Sequence, residues 1–260
     1  MAKFKANSHA LIPDTQCKPG VPLNHLTALG NYIADHKPHV VVHIGDHYDM
    51  SSLSSYDKGT LAFEGRRYAA DIAAGDAGLE LLMAPINKLN AARKRKGLRA
   101  YKPRKVVTLG NHEDRISRLL QMEPRLDGVV SLDHLAFGRH GFEVHEFRKP
   151  VEIDGVWYAH YFYNQNTGKA YGGRVHTRLN TVGFSFTMGH QQGLDMAVKG
   201  LGNGKTLRGL VAGSFYQHTE EYRGPQANNE WRGAIIKHEV RNGNYSLLEL
   251  SLSYLLAQWL

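Results

Sequence analysis

Three short runs rich in Val and Ile, His9 to Pro13, His39 to Gly45 and Lys105 to Gly110, alternate with longer stretches of helical periodicity, and each run ends in polar residues. That alternation constrains the fold most, because a chain that switches repeatedly between strand and helix periods builds βαβ units on a sheet covered by helices. Pro22 to Asp35 follows a Pro-Gly turn and carries Leu23, Leu26, Leu29 and Ile33 at helical spacing. The Ala-rich stretch from Glu64 to about Lys94 predicts two helices broken near Pro85. In the second half, Phe142 to Arg148, Val151 to Ile153, Val156 to Phe162, Thr181 to Met188, Leu207 to Ser214, Gly233 to Arg241 and Tyr245 to Ser251 read as strands between Gly, Asn and Asp turns. They predict a second, more antiparallel sheet built from hairpins. No repeat, linker or composition break divides the chain, so residues 1–260 are expected to form one domain.

Composition narrows the chemistry. With 42% hydrophobic and 22% charged residues, the chain can bury a full core. Its one cysteine, Cys17, excludes an internal disulfide and a cysteine zinc site, which suits a reducing compartment. Any metal must then use His, carboxylate or amide groups, and 15 histidines are present. No apolar run approaches the roughly 18 to 20 residues of a membrane span, and Met1 to Ser8 is basic and polar. A cytoplasmic protein without membrane contact is the expectation.

Five polar clusters stand at or just beyond the expected strand ends: Asp14-Thr15-Gln16, Gly45-Asp46-His47-Tyr48-Asp49, Gly110-Asn111-His112-Glu113, His160 and Gly189-His190-Gln191-Gln192. Open α/β sheets build their sites there, because loops leaving one sheet edge converge. Carboxylates gathered at such a point repel one another unless cations neutralise them. Taken alone, a Gly-Asn-His turn is more often an ordinary loop than a ligand, and His160, flanked by aromatics, also reads as a core histidine.

The order and spacing of the five clusters resemble the calcineurin-like metallophosphoesterases, whose pattern runs Asp-x-His, Gly-Asp-x-x-Asp, Gly-Asn-His-Asp/Glu, a lone His, and Gly-His-x-His. The middle three elements match at Gly45 to Asp49, Gly110 to Glu113 and His160. The outer two depart, with Gln16 and Gln192 where the family has histidines. The resemblance implies a four-layer α/β/β/α sandwich of two mixed sheets and two divalent ions. Asp14, Gln16, Asp46 and Gln192 would surround one ion, and Asp46, Asn111, His160 and His190 the other. Oxygen donors at the first site favour Mn²⁺ or Mg²⁺, whereas Zn²⁺ or Fe also suit the imidazole-rich second site. A competing reading has the first site lost, leaving one metal or none. Two ions about 3.5 to 4 Å apart would grip a phosphoryl group and activate water for in-line attack. His112 would then stabilise phosphoryl oxygens or protonate the leaving oxygen, with Asp49 orienting its imidazole.

Charge bears on the substrate. The net charge is +8, and a basic run, including Arg93, Lys94, Arg95, Lys96, Arg99 and Lys102, precedes the strand that leads to Asn111. Such runs are usually solvated helix ends. The functional alternative is a phosphate-backbone patch for DNA or RNA, with Arg66, Arg67, Arg115, Arg118 and Arg125 as further contributors. Tyr161 to Arg178 interleaves aromatics, amides and cations beside His160, the pattern of a loop that stacks nucleic-acid bases, although a plain surface loop shares it. The expectation is a metal-dependent hydrolase of phosphate esters, a phosphodiesterase or nuclease acting on nucleic acid. The alternatives are a phosphomonoesterase on protein or small molecules and a catalytically degenerate phosphate- or nucleic-acid-binding protein. In the protein-phosphatase branch Arg-Gly follows the second Asp, where this chain has Met50-Ser51.

Overall fold

The computed structural model describes residues 7–56, 58–220 and 229–260. Among the described residues, two mixed sheets and five α-helices make up the α/β architecture. The first sheet has the order β11-β10-β1-β2-β3-β4. Strands β1 (Asn7–Ile12), β2 (Val40–His43), β3 (Arg104–Thr108) and β4 (Glu143–His145) run parallel. The hairpin of β10 (Gly233–Arg241) and β11 (Asn244–Ser251) extends this sheet antiparallel to β1. The second sheet has the order β5-β6-β7-β9-β8. Its parallel centre is β6 (Val156–Ala159), β7 (Phe186–Met188) and β9 (Thr206–Ala212), with β5 (Val151–Ile153) and β8 (Leu194–Gly200) antiparallel at the edges.

Alternation along the strands sorts the apolar side chains into three cores. Ala10, Ile12, Val41 and Val107 pack against α1 (Asn24–His36), α2 (Tyr68–Arg95) and α5 (Leu252–Trp259) through Leu26, Leu29, Leu79, Leu82 and Leu255. The intervening residues Leu11, Val40, Val42 and Val106 face the other way and meet Val156, Tyr158 and Leu210 of the second sheet. On that sheet's far side, Ala159, Phe186 and Val211 pack against α4 (Val175–Val182) through Val175 and Leu179. Helices and sheets thus lie in four layers, α/β/β/α, with the central strands of both sheets covered on both faces. Each fully buried Leu, Ile or Val contributes about 1.5–3 kcal/mol of transfer free energy.

Several elements differ from the sequence reading. The expected break near Pro85 is absent, and α2 is one continuous helix with Pro85 inside it. A Cβ on Gly30 of α1 would lie 2.3 Å from the Leu82 carbonyl and 3.0 Å from Pro85 Cγ, so the two helices touch almost backbone to backbone. That packing outweighs the roughly 3 kcal/mol penalty of an interior proline. The run Thr181 to Met188 is split, because α4 continues to Val182, stops at the left-handed Gly183, and leaves only Phe186–Met188 as strand. The C-terminal hairpin joins the first sheet, not the second, since strand pattern alone does not name a partner. Strand β8, α3 (Asp114–Met122), α4 and α5 had no counterpart in the sequence reading. Among the described residues, no helix is long and apolar enough to cross a membrane.

Two glycines of α2 form a notch that seats the loops after β1 and β2. A Cβ on Gly75 would fall 2.0 Å from Tyr48 Cδ1, and one on Gly78 would fall 2.7 Å from Cys17 Sγ. Tyr48 is fully buried and cannot retreat, because its hydroxyl donates to Asp76 Oδ1 (2.7 Å) and accepts from the Ala136 N–H (2.7 Å). Gly75→Ala is therefore expected to destabilise the fold by about 1–2 kcal/mol, overpacking outweighing the gain of about 1 kcal/mol in helix propensity. Urea denaturation checks this, and a more stable variant would contradict it.

Candidate metal centre

Parallel strands β1, β2 and β3 deliver their following loops to the same edge of the first sheet, and β6 and β7 bring His160 and His190 to the corresponding edge of the second. The loops are laced together by backbone bonds. Gln16 N–H donates to the Asp46 carbonyl (2.8 Å), Cys17 N–H to the His47 carbonyl (2.7 Å), and Phe215 N–H to the Asp14 carbonyl (2.7 Å). Gly45 and Gly110 permit this approach. A Cβ on Gly45 would lie 2.4 Å from Gly110 N, and one on Gly110 would lie 2.1 Å from Asp46 Oδ1.

The buried carboxylate of Glu113 organises the loop that carries Asp46. Its Oε2 accepts from the N–H groups of Gly110 (2.8 Å) and Asp46 (3.0 Å), and its Oε1 from those of His47 (2.7 Å) and Tyr48 (2.9 Å). The motif Gly110 to Glu113 includes this carboxylate without marking a role for it; its signal in the sequence is an acidic residue adjoining a Gly-Asn-His turn. Gln16, Asp46, Met50, His190 and Gln192 all adopt positive φ, between 40° and 69°. Left-handed backbone costs about 1–3 kcal/mol at a non-glycine residue and collects where geometry serves function.

The donors expected around the second metal converge. Asn111 Oδ1 lies 2.9 Å from His160 Nε2 and 2.8 Å from His190 Nδ1, and His160 Nε2 lies 3.3 Å from Asp46 Oδ2. One ligand atom from each of Asp46, His160 and His190 falls within 4.8 Å of the other two. Behind the cluster, His160 Nδ1 donates to the Ile44 carbonyl (2.8 Å), which turns Nε2 toward the shared point, as in metal-ligating imidazoles. Burial opposes charge on His160, yet Asp46 and the hydrogen bonds overcome it and raise its pKa to about 9. Burial likewise works against ionised Asp46, but the neighbouring His112 and His160 charges hold it well below the usual carboxylate range. Burial and the His160 charge lower the His190 pKa to about 4.

The first-metal residues are brought to the same place in a different state. Asp14, fully buried, accepts from the His190 N–H through both oxygens (3.1 and 3.3 Å). Burial raises its pKa to about 7. Gln16 is adjacent through its backbone bond to Asp46. Gln192 is close by, but its Oε1 accepts from the Tyr216 hydroxyl (2.8 Å). Beside the cluster, His112 Nδ1 donates to Asp49 Oδ1 (3.0 Å) and to the Asp49 carbonyl (2.9 Å), while its Nε2 sits 3.7 Å from Asp46 Oδ2. Burial opposes the His112 charge, but Asp46 and Asp49 raise its pKa overall.

Asp46, Asn111, His112 and His190 open into a cavity of about 1000 Å³. Arg66, Arg67 and Arg115 stand on its walls, and Arg115 Nη1 donates to the Asp49 carbonyl (2.8 Å). The basic run lies elsewhere. Arg93, Lys94 and Arg95 form the last turn of α2, and Lys96, Arg99 and Lys102 lead into the N-terminal end of β3, away from the edge that holds Asn111. At 1.5 Å per residue, Arg93 is roughly 33 Å along α2 from Asp71 at the cavity. This run is therefore not part of the cavity wall; its nearness to Asn111 in sequence misled, because a strand carries its two ends apart.

No protein-family model matches the chain, and no curated protein matches it. One solved structure aligns with 94% of this chain and 99% of its own at 12% identity, with a TM-score of 0.34, too loose a superposition to carry an argument.

Glu113→Gln tests the scaffold. An amide offers one acceptor oxygen, so its NH₂ would face two buried N–H donors. The substitution is expected to cost about 2–4 kcal/mol in urea denaturation, as expected when charge-assisted bonds are replaced by unsatisfied donors. Unchanged stability would show that the carboxylate does not hold the loop.

Proposed function

We propose that the chain is a metal-dependent phosphoesterase with a calcineurin-like metallophosphoesterase fold, acting on phosphate esters of nucleic acid or nucleotides. The observation that carries the reading is the convergence of Asp46, Asn111, His160 and His190 on one point at the C-terminal ends of parallel strands. The donor set suits a divalent ion. Two imidazoles, one carboxylate and one amide oxygen offer mixed nitrogen and oxygen ligation and would together hold such an ion. Asp14, Gln16 and Gln192 would hold a second ion more weakly, because the Gln192 oxygen is already engaged by Tyr216 and an amide oxygen is a poorer donor to a transition metal than an imidazole nitrogen.

Cations held there supply Lewis acidity, polarising a phosphoryl oxygen and lowering the pKa of water. The chain's own groups do the rest. His112, kept in one orientation by Asp49, presents Nε2 toward Asp46 and the cavity, where its N–H can donate to a phosphoryl or leaving oxygen. Asp49 stabilises the imidazolium that carries this proton before it is given up. Arg115 braces the Asp49 carbonyl, and Arg66 and Arg67 bring positive charge to a cavity that must accept an anion.

Hydrolysis of bis-p-nitrophenyl phosphate and p-nitrophenyl phosphate, each with Mn²⁺, Mg²⁺ or EDTA, tests the activity. Turnover with Mn²⁺ that EDTA abolishes is expected; no turnover with any divalent ion would reduce the chain to a binder. His112→Ala should lower turnover by about 100-fold or more while one cation is retained after dialysis. Loss of that cation would assign His112 to the metal instead. Two equally retained zinc ions in the unaltered protein would overturn the ranking of the sites.

A further inference from the structure

A second cavity, of about 480 Å³, adjoins the metal centre on the side of β6 and the segment that follows it. Trp157, Tyr163, Tyr171 and Phe184 line it, each packed against the third apolar core yet only partly buried. Trp157 and Phe184 have their ring centres 5.4 Å apart. The segment from Phe162 to Tyr171 folds back on itself, with Tyr171 N–H donating to the Phe162 carbonyl (3.0 Å) and Asn164 N–H to the Lys169 carbonyl (2.9 Å). Tyr163 and Tyr171, both carried by that hairpin, line the cavity. Arg148 completes the site. At a positive φ of 67°, strained for a side chain of its size, the exposed residue sets its guanidinium 5.6 Å from the centre of the Tyr163 ring and 5.3 Å from that of Phe147. Its Nε and Nη2 donate to the Tyr161 hydroxyl (3.3 and 3.2 Å).

We infer that this cavity seats an unpaired nucleobase of the phosphate ester whose phosphate enters the metal centre. The inference rests on the phosphoesterase reading and adds its substrate class. Tyr161 joins the two sites, lining the aromatic cavity while its ring lies 4.9 Å from that of His190. Partly exposed rings give a π-face that every base can stack on, and the exposed amides of Gln165 and Asn166 at the rim offer donors and acceptors to base edges. Arg148, with exposed Lys169 on the same hairpin, brings the positive charge that a phosphate backbone requires. A base inside a duplex has both faces covered by its neighbours, so the site selects an unpaired one.

The test uses the full chain in EDTA, with intrinsic tryptophan fluorescence as the readout and a pentathymidylate, the same strand carrying abasic sugars, and thymidine monophosphate as probes. Saturable quenching by pentathymidylate is expected, with affinity for the abasic strand at least about fivefold weaker. Tyr163→Ala should weaken pentathymidylate about tenfold, and Tyr163→Phe, which keeps the ring, should restore it. Monophosphate binding as tight as the pentamer identifies a nucleotide as the source of the base; much weaker binding identifies a strand. Equal affinity for the abasic strand and pentathymidylate, or no loss in Tyr163→Ala, overturns the inference. Mn²⁺-dependent hydrolysis of bis-p-nitrophenyl phosphate by the same preparation separates the two readings. Turnover without base discrimination removes only the nucleobase site, and base discrimination without turnover removes only the phosphoesterase.

Discussion

Four backbone N–H groups converge on the two oxygens of Glu113, and the candidate centre depends on that arrangement. Each charge-assisted bond contributes about 1.5–3 kcal/mol, while burying a carboxylate costs several kcal/mol, so the net gain is small. What the arrangement supplies is position. It holds Asp46 at a φ of 50°, which an aspartate seldom adopts unaided, and Gly45 and Gly110 let the two loops meet at backbone distance. The His112 N–H then fixes Asp46 Oδ1 (3.0 Å), leaving Oδ2 facing His160.

Around this scaffold four acidic groups, Asp14, Asp46, Asp49 and Glu113, are all buried within one neighbourhood. Hydrogen bonds satisfy Glu113 and His112 satisfies Asp49, but Asp14 and Asp46 still oppose one another. A protonated His160 offsets part of that repulsion, and a divalent cation at the same point would offset more. The three apolar cores, which reach the cluster through Cys17, Tyr48, Met50 and Ile44, supply the stability that strained loops and buried charges consume.

The legible parts of the sequence were those with a strong local signal. Val41 and Val107 sit in runs whose unbroken apolar residues mark a strand covered on both faces, and the polar residues after those runs do meet at one edge. Pairing was not legible: nothing local to Gly233–Arg241 says that its partner is β1, more than 200 residues earlier. Pro85 misled because a contact with Gly30, distant in sequence, decides whether the helix breaks. At the site, residue types identified the converging donors, but not the Tyr216 hydroxyl on Gln192 or the position of the basic run at the opposite end of α2. Those depend on where whole elements lie.

The central claim is that Asp46, Asn111, His160 and His190 bind one divalent cation. Crystals soaked in Mn²⁺ and measured for anomalous scattering at the manganese edge test it most directly. A peak within bonding distance of Asp46 Oδ2, Asn111 Oδ1, His160 Nε2 and His190 Nδ1 is the predicted result. No peak among those four atoms, with manganese bound elsewhere on the chain or not at all, would contradict it.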